Sequence, residues 1–181
     1  MGLYPVVAAL AALALAASPA HGGSSAGVTN VYYDVPKTFS AIEIHDLDGV
    51  LHKMSEYDGK ILAFPSRQFR RQEFDSNEQI KRFVARYNVT FPLFEVIDVN
   101  GPGTHPIFLY CKWHSDELWN DGVLGDISWN FGKFLLDRNN GVYKYYTPRT
   151  PAISLEEDIW KLLNEDEKGH FRDENGVIGD V

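Results

Sequence analysis

The sequence predicts one α/β domain, and three observations carry that reading. The chain has 181 residues, 44% of them apolar and 13% aromatic, which is enough for one hydrophobic core and too little for several. Short alternating or apolar runs bounded by Gly, Pro, Asn or Asp take turns with stretches of helical spacing. The resulting order is hairpin, strand, helix, strand, helix, strand, strand, helix, without an internal repeat.

Val6–Ala17 is an apolar run too short to span a bilayer, which takes about 20 residues. Ser18, Pro19 and Ala20 then place small residues where a signal peptidase reads them. Residues 1–20 therefore read as a signal peptide cut after Ala20, and the protein as secreted or in the secretory pathway. Residues 21–37 read as a flexible linker, 38–164 as the domain, and 165–181 as an acidic, mobile tail.

Within the domain, Ala41–His45 alternates, Asp48-Gly49 turns the chain, and Val50–Met54 returns, which makes a hairpin. Asp46 and Asp48 lack the third carboxylate and closing Glu of a calcium loop, so they read as turn residues. Ile61–Pro65 is a strand stopped by proline. Ser76 and Gln79 form a capping box for a helix whose apolar positions are Ile80, Phe83, Val84 and Tyr87. Asn100-Gly101-Pro102-Gly103 is a turn, and Pro106 opens a second helix at its first position. Trp129–Leu136 and Val142–Tyr146 read as strands around a turn at 137–141. Ser154 is the expected cap of a last helix with Ile159, Leu162 and Leu163 inward.

Net charge is −8, which argues against nucleic acid and anionic membrane surfaces as partners, since both require a clustered positive face. One cysteine, Cys111, leaves no intramolecular disulfide and cannot provide both an attacking and a resolving sulfur. The six histidines show no zinc-like spacing, so neither a metal nor a cofactor is expected.

Three segments carry a likeness. They are Ile61–Asp75 (ILAFPSRQFRRQEFD), Val99–Pro106 (VNGPGTHP) and Ser128–Leu135 (SWNFGKFL). In content and order they resemble the glutathione peroxidase family. The resemblance implies a thioredoxin-like fold and thiol-dependent reduction of hydrogen peroxide or lipid hydroperoxides in the oxidative-stress response. Glutathione or another thiol would be the co-substrate. It also implies site residues: Gln72 from the FP-x-x-QF-x-x-QE segment, and Trp129 and Asn130 from WNF. These are neutral N–H donors, suited to steadying an anion and a leaving oxygen.

The family's peroxide-cleaving selenocysteine or cysteine, in an NVAS-x-[UC]-G-like loop, would fall between Lys60 and Ile61. That loop is absent, and with it roughly one strand and its following helix, the size of a βαβ piece. A true deletion, an exon-skipping isoform and a gene reading spliced around a UGA codon all produce such a join. Ser66 cannot replace a thiolate, and the position of a resolving cysteine is Ala85. The chain is thus expected to be defective as a peroxidase, with a non-enzymatic secreted binding protein as the alternative. The missing subunit-contact insertion implies a monomer, with membrane contact only through lipid hydroperoxides. Arg70 and Arg71, whose forks suit carboxylates and phosphates, are candidate contacts for glutathione or a headgroup. Asn88 in Asn-Val-Thr is a candidate glycosylation site.

Without the central strand, Ile61–Pro65 is expected to pair directly with the strand after Trp129 or to leave buried backbone groups open. Each open group costs about 1–3 kcal/mol, so a poorly stable chain is expected.

Overall fold

The computed structural model describes residues 34–120 and 123–179, and the backbone of residues 7–11. The strands are β1 (Val7–Ala11), β2 (Glu43–His45), β3 (Leu51–Lys53), β4 (Ile61–Phe64), β5 (Trp119–Asn120), β6 (Val123–Leu124), β7 (Lys133–Leu136), β8 (Val142–Tyr146), β9 (Phe171–Arg172) and β10 (Ile178–Gly179). The helices are α1 (Asn77–Ala85), α2 (Pro106–His114) and α3 (Glu156–Leu163).

The main sheet has the order β4-β1-β7-β8. β1 runs parallel to β4, with Ala8 opposite Ile61 and Ala11 opposite Phe64. It runs antiparallel to β7, with Val7 opposite Leu136 and Leu10 opposite Lys133. This corrects the expectation that β4 would pair directly with the strand after Trp129 or stand open. The apolar N-terminal run fills the central place. Of the leader read over residues 1–20, these five positions are described, and the rest lie outside the described residues together with 21–33 of the linker.

Alternation along β7 distributes the core to both faces of the sheet. Phe134 and Leu136 belong to the larger cluster, while Leu135 joins Tyr146, Leu155 and Leu162 in a smaller one under α3. On the larger side Phe108 of α2 meets Phe64 edge-on at 5.6 Å and Phe134 at 6.0 Å, and Phe64 stacks on Phe94 at 5.0 Å. Cys111 is wholly buried in this cluster. The sheet is thus a layer between α2 and α3, the plan expected of an α/β chain.

Two local readings change. The strand predicted over Trp129–Leu136 begins only at Lys133. Gly132 lies so close to Ile127 and Tyr145 that a Cβ there would sit 2.8 Å from Ile127 Cγ2, and the chain before it is a turn. Ser154 does not cap α3. A 3₁₀ turn over Ala152–Leu155 precedes the helix, and Leu155 occupies the cap position without a side-chain bond. The capping box of α1 forms as read, with Gln79 N donating to Ser76 Oγ at 3.3 Å and Ser76 N to Gln79 Oε1 at 3.2 Å.

The stretch read as a mobile acidic tail carries the β9–β10 ribbon. Its polar composition gave no strand signal, and its partners lie far away in sequence. Arg172 N donates to His114 Nδ1 at 2.7 Å, and the Trp113 indole N–H to Asp173 O at 3.3 Å. A ring nitrogen that accepts a backbone N–H must be unprotonated, so His114 is the neutral tautomer with its proton on Nε2.

Burial, with help from the Arg172 guanidinium, pushes the His114 pKa down from 6.5 to about 4. A histidine depressed in the folded state stabilises fully above the unfolded value and loses that contribution as pH falls. Stability is therefore expected to drop from pH 6.5 to about 4 by about 3 kcal/mol. Urea midpoints of the native chain and His114→Gln over this range check it, the variant's carbonyl keeping the acceptor without the titration. His105, also depressed by burial, and His52, raised by Glu56 and Asp46, cancel in the difference. Parallel curves for the two proteins would refute the assignment.

Candidate functional site

The predicted site residues sit on two loops. Gln72 follows β4 in the loop 65–76, and Trp129 and Asn130 precede β7. The structure brings Gln72 and Asn130 into contact, with Asn130 Nδ2 donating to Gln72 Oε1 at 3.1 Å. Asn130 is buried, and its Oδ1 has no partner in the protein. Turning both amides over exchanges donor and acceptor but still leaves one buried polar atom free. Trp129 is 39% exposed, with Phe69 at 6.1 Å between ring centroids. The Arg70 guanidinium lies over the indole, 5.4 Å from the ring centroid.

The first loop is held in an unusual shape. Arg70 and Arg71 both adopt positive φ, 57° and 53°. Such a pair of non-glycine residues costs on the order of 1–3 kcal/mol each unless its surroundings fix it. Arg67 does part of the fixing, since its fork donates to Phe74 O at 2.9 and 3.3 Å and closes the loop. Of the basic island read from sequence, Arg67 is thus structural, while Arg70 and Arg71 are exposed. Burial pushes the neighbouring Glu73 carboxyl upward. Ser66 is buried, and its Oγ accepts from Gln68 N at 3.4 Å.

The second loop is bracketed on both sides. Ahead of it, Asn100 Nδ2 donates to Ile127 O at 2.8 Å and Ile127 N donates to Asn100 Oδ1 at 2.9 Å. Behind it, the buried Lys133 ammonium donates to Phe131 O and to Thr147 O, the latter at 3.3 Å. Phe131 itself has φ 67°. Burial lowers the Lys133 pKa. Sequence reasoning missed Gln68, Asn100 and Lys133. Their signal was present inside the motifs, as polar residues where a loop must be tied down.

Cys111 lies in α2 at 0% exposure, and burial pushes its thiol well above the ordinary cysteine range. Asn88 is exposed at the end of α1 with φ 50°. Elsewhere, an open hollow of about 380 Å³ between the hairpin and α1 is lined in part by Asp46, His52, Tyr57 and Lys81. Its charges are spent on one another. His52 faces Glu56 with Nδ1 at 3.0 Å and Asp46 with Nε2 at 3.2 Å, hydrogen bonds that raise its pKa, and Lys81 pairs with Asp48 at 2.7 Å. Among the described residues no cluster of His, Cys, Asp and Glu could hold a metal ion, and no helix is long and apolar enough to cross a membrane.

Residues 23–112 match the family model described as glutathione peroxidase. A phospholipid hydroperoxide glutathione peroxidase of Macaca fuscata fuscata is 41% identical over 133 residues, 73% of this chain and 65% of that protein. The enzyme of that name from Bos taurus is 42% identical over 134 residues, with the same coverage of 73% and 65%. A chloroplastic one from Pisum sativum is 45% identical over 106 residues, 58% of this chain and 43% of that protein. The chain thus spans just under two thirds of the length of the mammalian relatives it matches. Among solved structures, that of Trgpx in apo form superposes with a TM-score of 0.55 at 20% identity, covering 72% of this chain and 98% of that one. T. cruzi GPX1 superposes with 0.51 at 22% identity, covering 71% and 97%. These place the chain in the thioredoxin-like α/β fold.

Proposed function

Because the chain belongs to the glutathione peroxidase family, we propose that it is a peroxide-binding member that keeps the hydrogen-bonding half of the site and lacks the nucleophilic half. Gln72, Trp129 and Asn130 are the groups that receive the hydroperoxide oxygens, with glutathione or another thiol as the reductant. Arg70 and Arg71 offer guanidinium forks to a carboxylate or phosphate of the co-substrate or lipid.

The family reaction converts a hydroperoxide and two thiols to an alcohol, water and a disulfide. Its first step requires an ionised sulfur or selenium that attacks the O–O bond, takes the outer oxygen, and releases the other as alkoxide for protonation. The observation that carries the reading is the state of the one thiol. Cys111 is wholly buried in α2, and its surroundings disfavour the thiolate. It therefore does not supply that step.

A coupled assay with glutathione and either hydrogen peroxide or a phospholipid hydroperoxide is expected to run at the uncatalysed thiol rate, in the native chain and in Cys111→Ser alike. Turnover well above that rate, surviving Cys111→Ser, would overturn the proposal. The second reading, a binding protein without chemistry, is favoured by the exposure of Arg70 and Arg71 on the loop 65–76. Saturable binding of a partner that Arg70→Ala abolishes and Trp129→Ala spares would select it.

A further inference from the structure

Three segments far apart in the chain meet through one side-chain relay. The Gln68 amide reads the backbone of the turn at 99–100. Its Oε1 accepts from Val99 N and from Asn100 N, each at 2.8 Å, and its Nε2 donates to Asn100 O at 2.8 Å. The Asn100 amide reads the backbone of Ile127 in turn, with bonds of 2.8 and 2.9 Å. A side-chain amide has one acceptor and one donor side, as a peptide does, so each link imitates a step of a β-ladder.

Lys112 fixes the direction of the relay. Its buried ammonium donates to Asn100 Oδ1 at 3.2 Å and Val99 O at 3.4 Å, with the Asp126 carboxylate at 3.5 Å. An ammonium only donates, so Oδ1 must face it and Nδ2 must face Ile127 O. Burial lowers the Lys112 pKa, and Asp126 opposes the shift.

We infer that Asn100 is a positioning residue that couples the Gln72 loop to the Trp129–Asn130 loop. The inference rests on the proposed role of those three residues as the site. Gln68 precedes Gln72 by one loop turn, and Ile127 stands two residues before Trp129. The two loops otherwise meet at the bond between Gln72 and Asn130 and at the Phe69 and Arg70 contacts with Trp129. Side-chain amides are long levers, and they hold a geometry only when the backbone under both is tied to a common point. Asn100 is that point. Alanine there would leave Ile127 N–H and C=O without their partner and take one acceptor from Lys112, while Gln68 keeps its bonds to the backbone of residues 99–100, so the link between the two loops is cut at its second step.

The test uses the full chain labelled with 5-fluorotryptophan, the Trp129 fluorine signal being assigned with Trp129→Phe. Asn100→Ala is expected to shift and broaden the Trp129 signal while those of Trp113, Trp119 and Trp160 stay in place. Asn100→Asp keeps the size and the bonds accepted at Oδ1 and loses the donated one. It is expected to give a smaller shift in the same direction. A folded Asn100→Ala with an unmoved Trp129 signal would overturn the inference.

Should alanine unfold the chain, the aspartate variant decides by the same criterion. Amide exchange in the unaltered protein decides without any variant. Slow exchange at Ile127 and Asn100 supports the relay, and exchange there as fast as at the exposed Ser128 refutes it. These readouts do not depend on turnover, so an inactive chain fails the functional reading without touching this one.

Discussion

Removing residues 1–20 is expected to abolish cooperative folding. β1 has a neighbour on each side, with four register positions shared with β4 and four with β7. Strands in a sheet stand about 4.8 Å apart, so losing the one between them leaves β4 and β7 about twice that distance from each other. Both lie in the core, where Leu62, Phe64, Phe134, Leu135 and Leu136 are at 0% exposure. Closing the gap would drag these side chains out of their packing by about one strand width. Leaving it open would strand buried backbone groups at about 1–3 kcal/mol each. Either exceeds what a domain with about 5–15 kcal/mol of total stability tolerates.

The measurement is a thermal melt by circular dichroism of residues 21–181 beside the full chain. A sloping, non-cooperative trace is expected for the shortened chain. Partial recovery is expected when a peptide of residues 5–13 is added in excess, because a ligand that binds only the folded form stabilises it by mass action. A sharp transition of native amplitude in 21–181 alone would show that β4 and β7 pair without β1. The experiment also bears on secretion. Cleavage after Ala20 removes β1, so a processed protein and the sheet described above exclude each other.

The legible parts of the fold were those set by local chemistry. The Asp-Gly hairpin, the Ser76–Gln79 capping box and the proline start of α2 each depend on a few adjacent residues, and each stands where it was expected. The central strand was not legible because an apolar run of Ala, Val and Leu satisfies a leader and a buried strand equally. Only the slot left by the missing segment distinguishes them, and a slot is a property of the assembled sheet. The β9–β10 ribbon was hidden for a related reason, since its partners, His114 and Trp113, lie more than fifty residues away. In the site, motif order led to Gln72, Trp129 and Asn130. The residues that hold them, Gln68, Asn100 and Lys133, stand inside the same motifs as polar residues, but the backbone groups they bond are brought to them by the fold, so spacing alone named no partner for them.

A second large effect is expected at Asp137, where the sheet and the C-terminal segment are joined by one carboxylate. Its Oδ1 accepts from Asn139 N at 2.8 Å and Gly141 N at 2.9 Å, which shapes the turn between β7 and β8. Its Oδ2 accepts from Gly169 N at 2.8 Å. Gly169 and Gly141 then touch backbone to backbone, and Val142 and His170 exchange both of their hydrogen bonds at 2.9 and 3.1 Å. Asp137 is buried, so truncation to alanine leaves three donors without a partner and little water to replace it. A loss of about 3–5 kcal/mol is expected from the urea midpoint.

Gly169→Ala strikes the same joint from the other side. A Cβ there would stand 2.0 Å from Gly141 O and 2.2 Å from its carbonyl carbon, and neither is a side chain that can swing away. The two strands of chain must separate, at about 1–3 kcal/mol. Once they part, Asp137 Oδ2 has already lost Gly169 N. The two substitutions therefore cannot add. Asp137→Ala in a Gly169→Ala background is expected to cost less than Asp137→Ala alone, by roughly the 1–3 kcal/mol of one charge-assisted bond. Strict additivity would mean that Asp137 stabilises the turn alone and that the C-terminal segment docks independently of it.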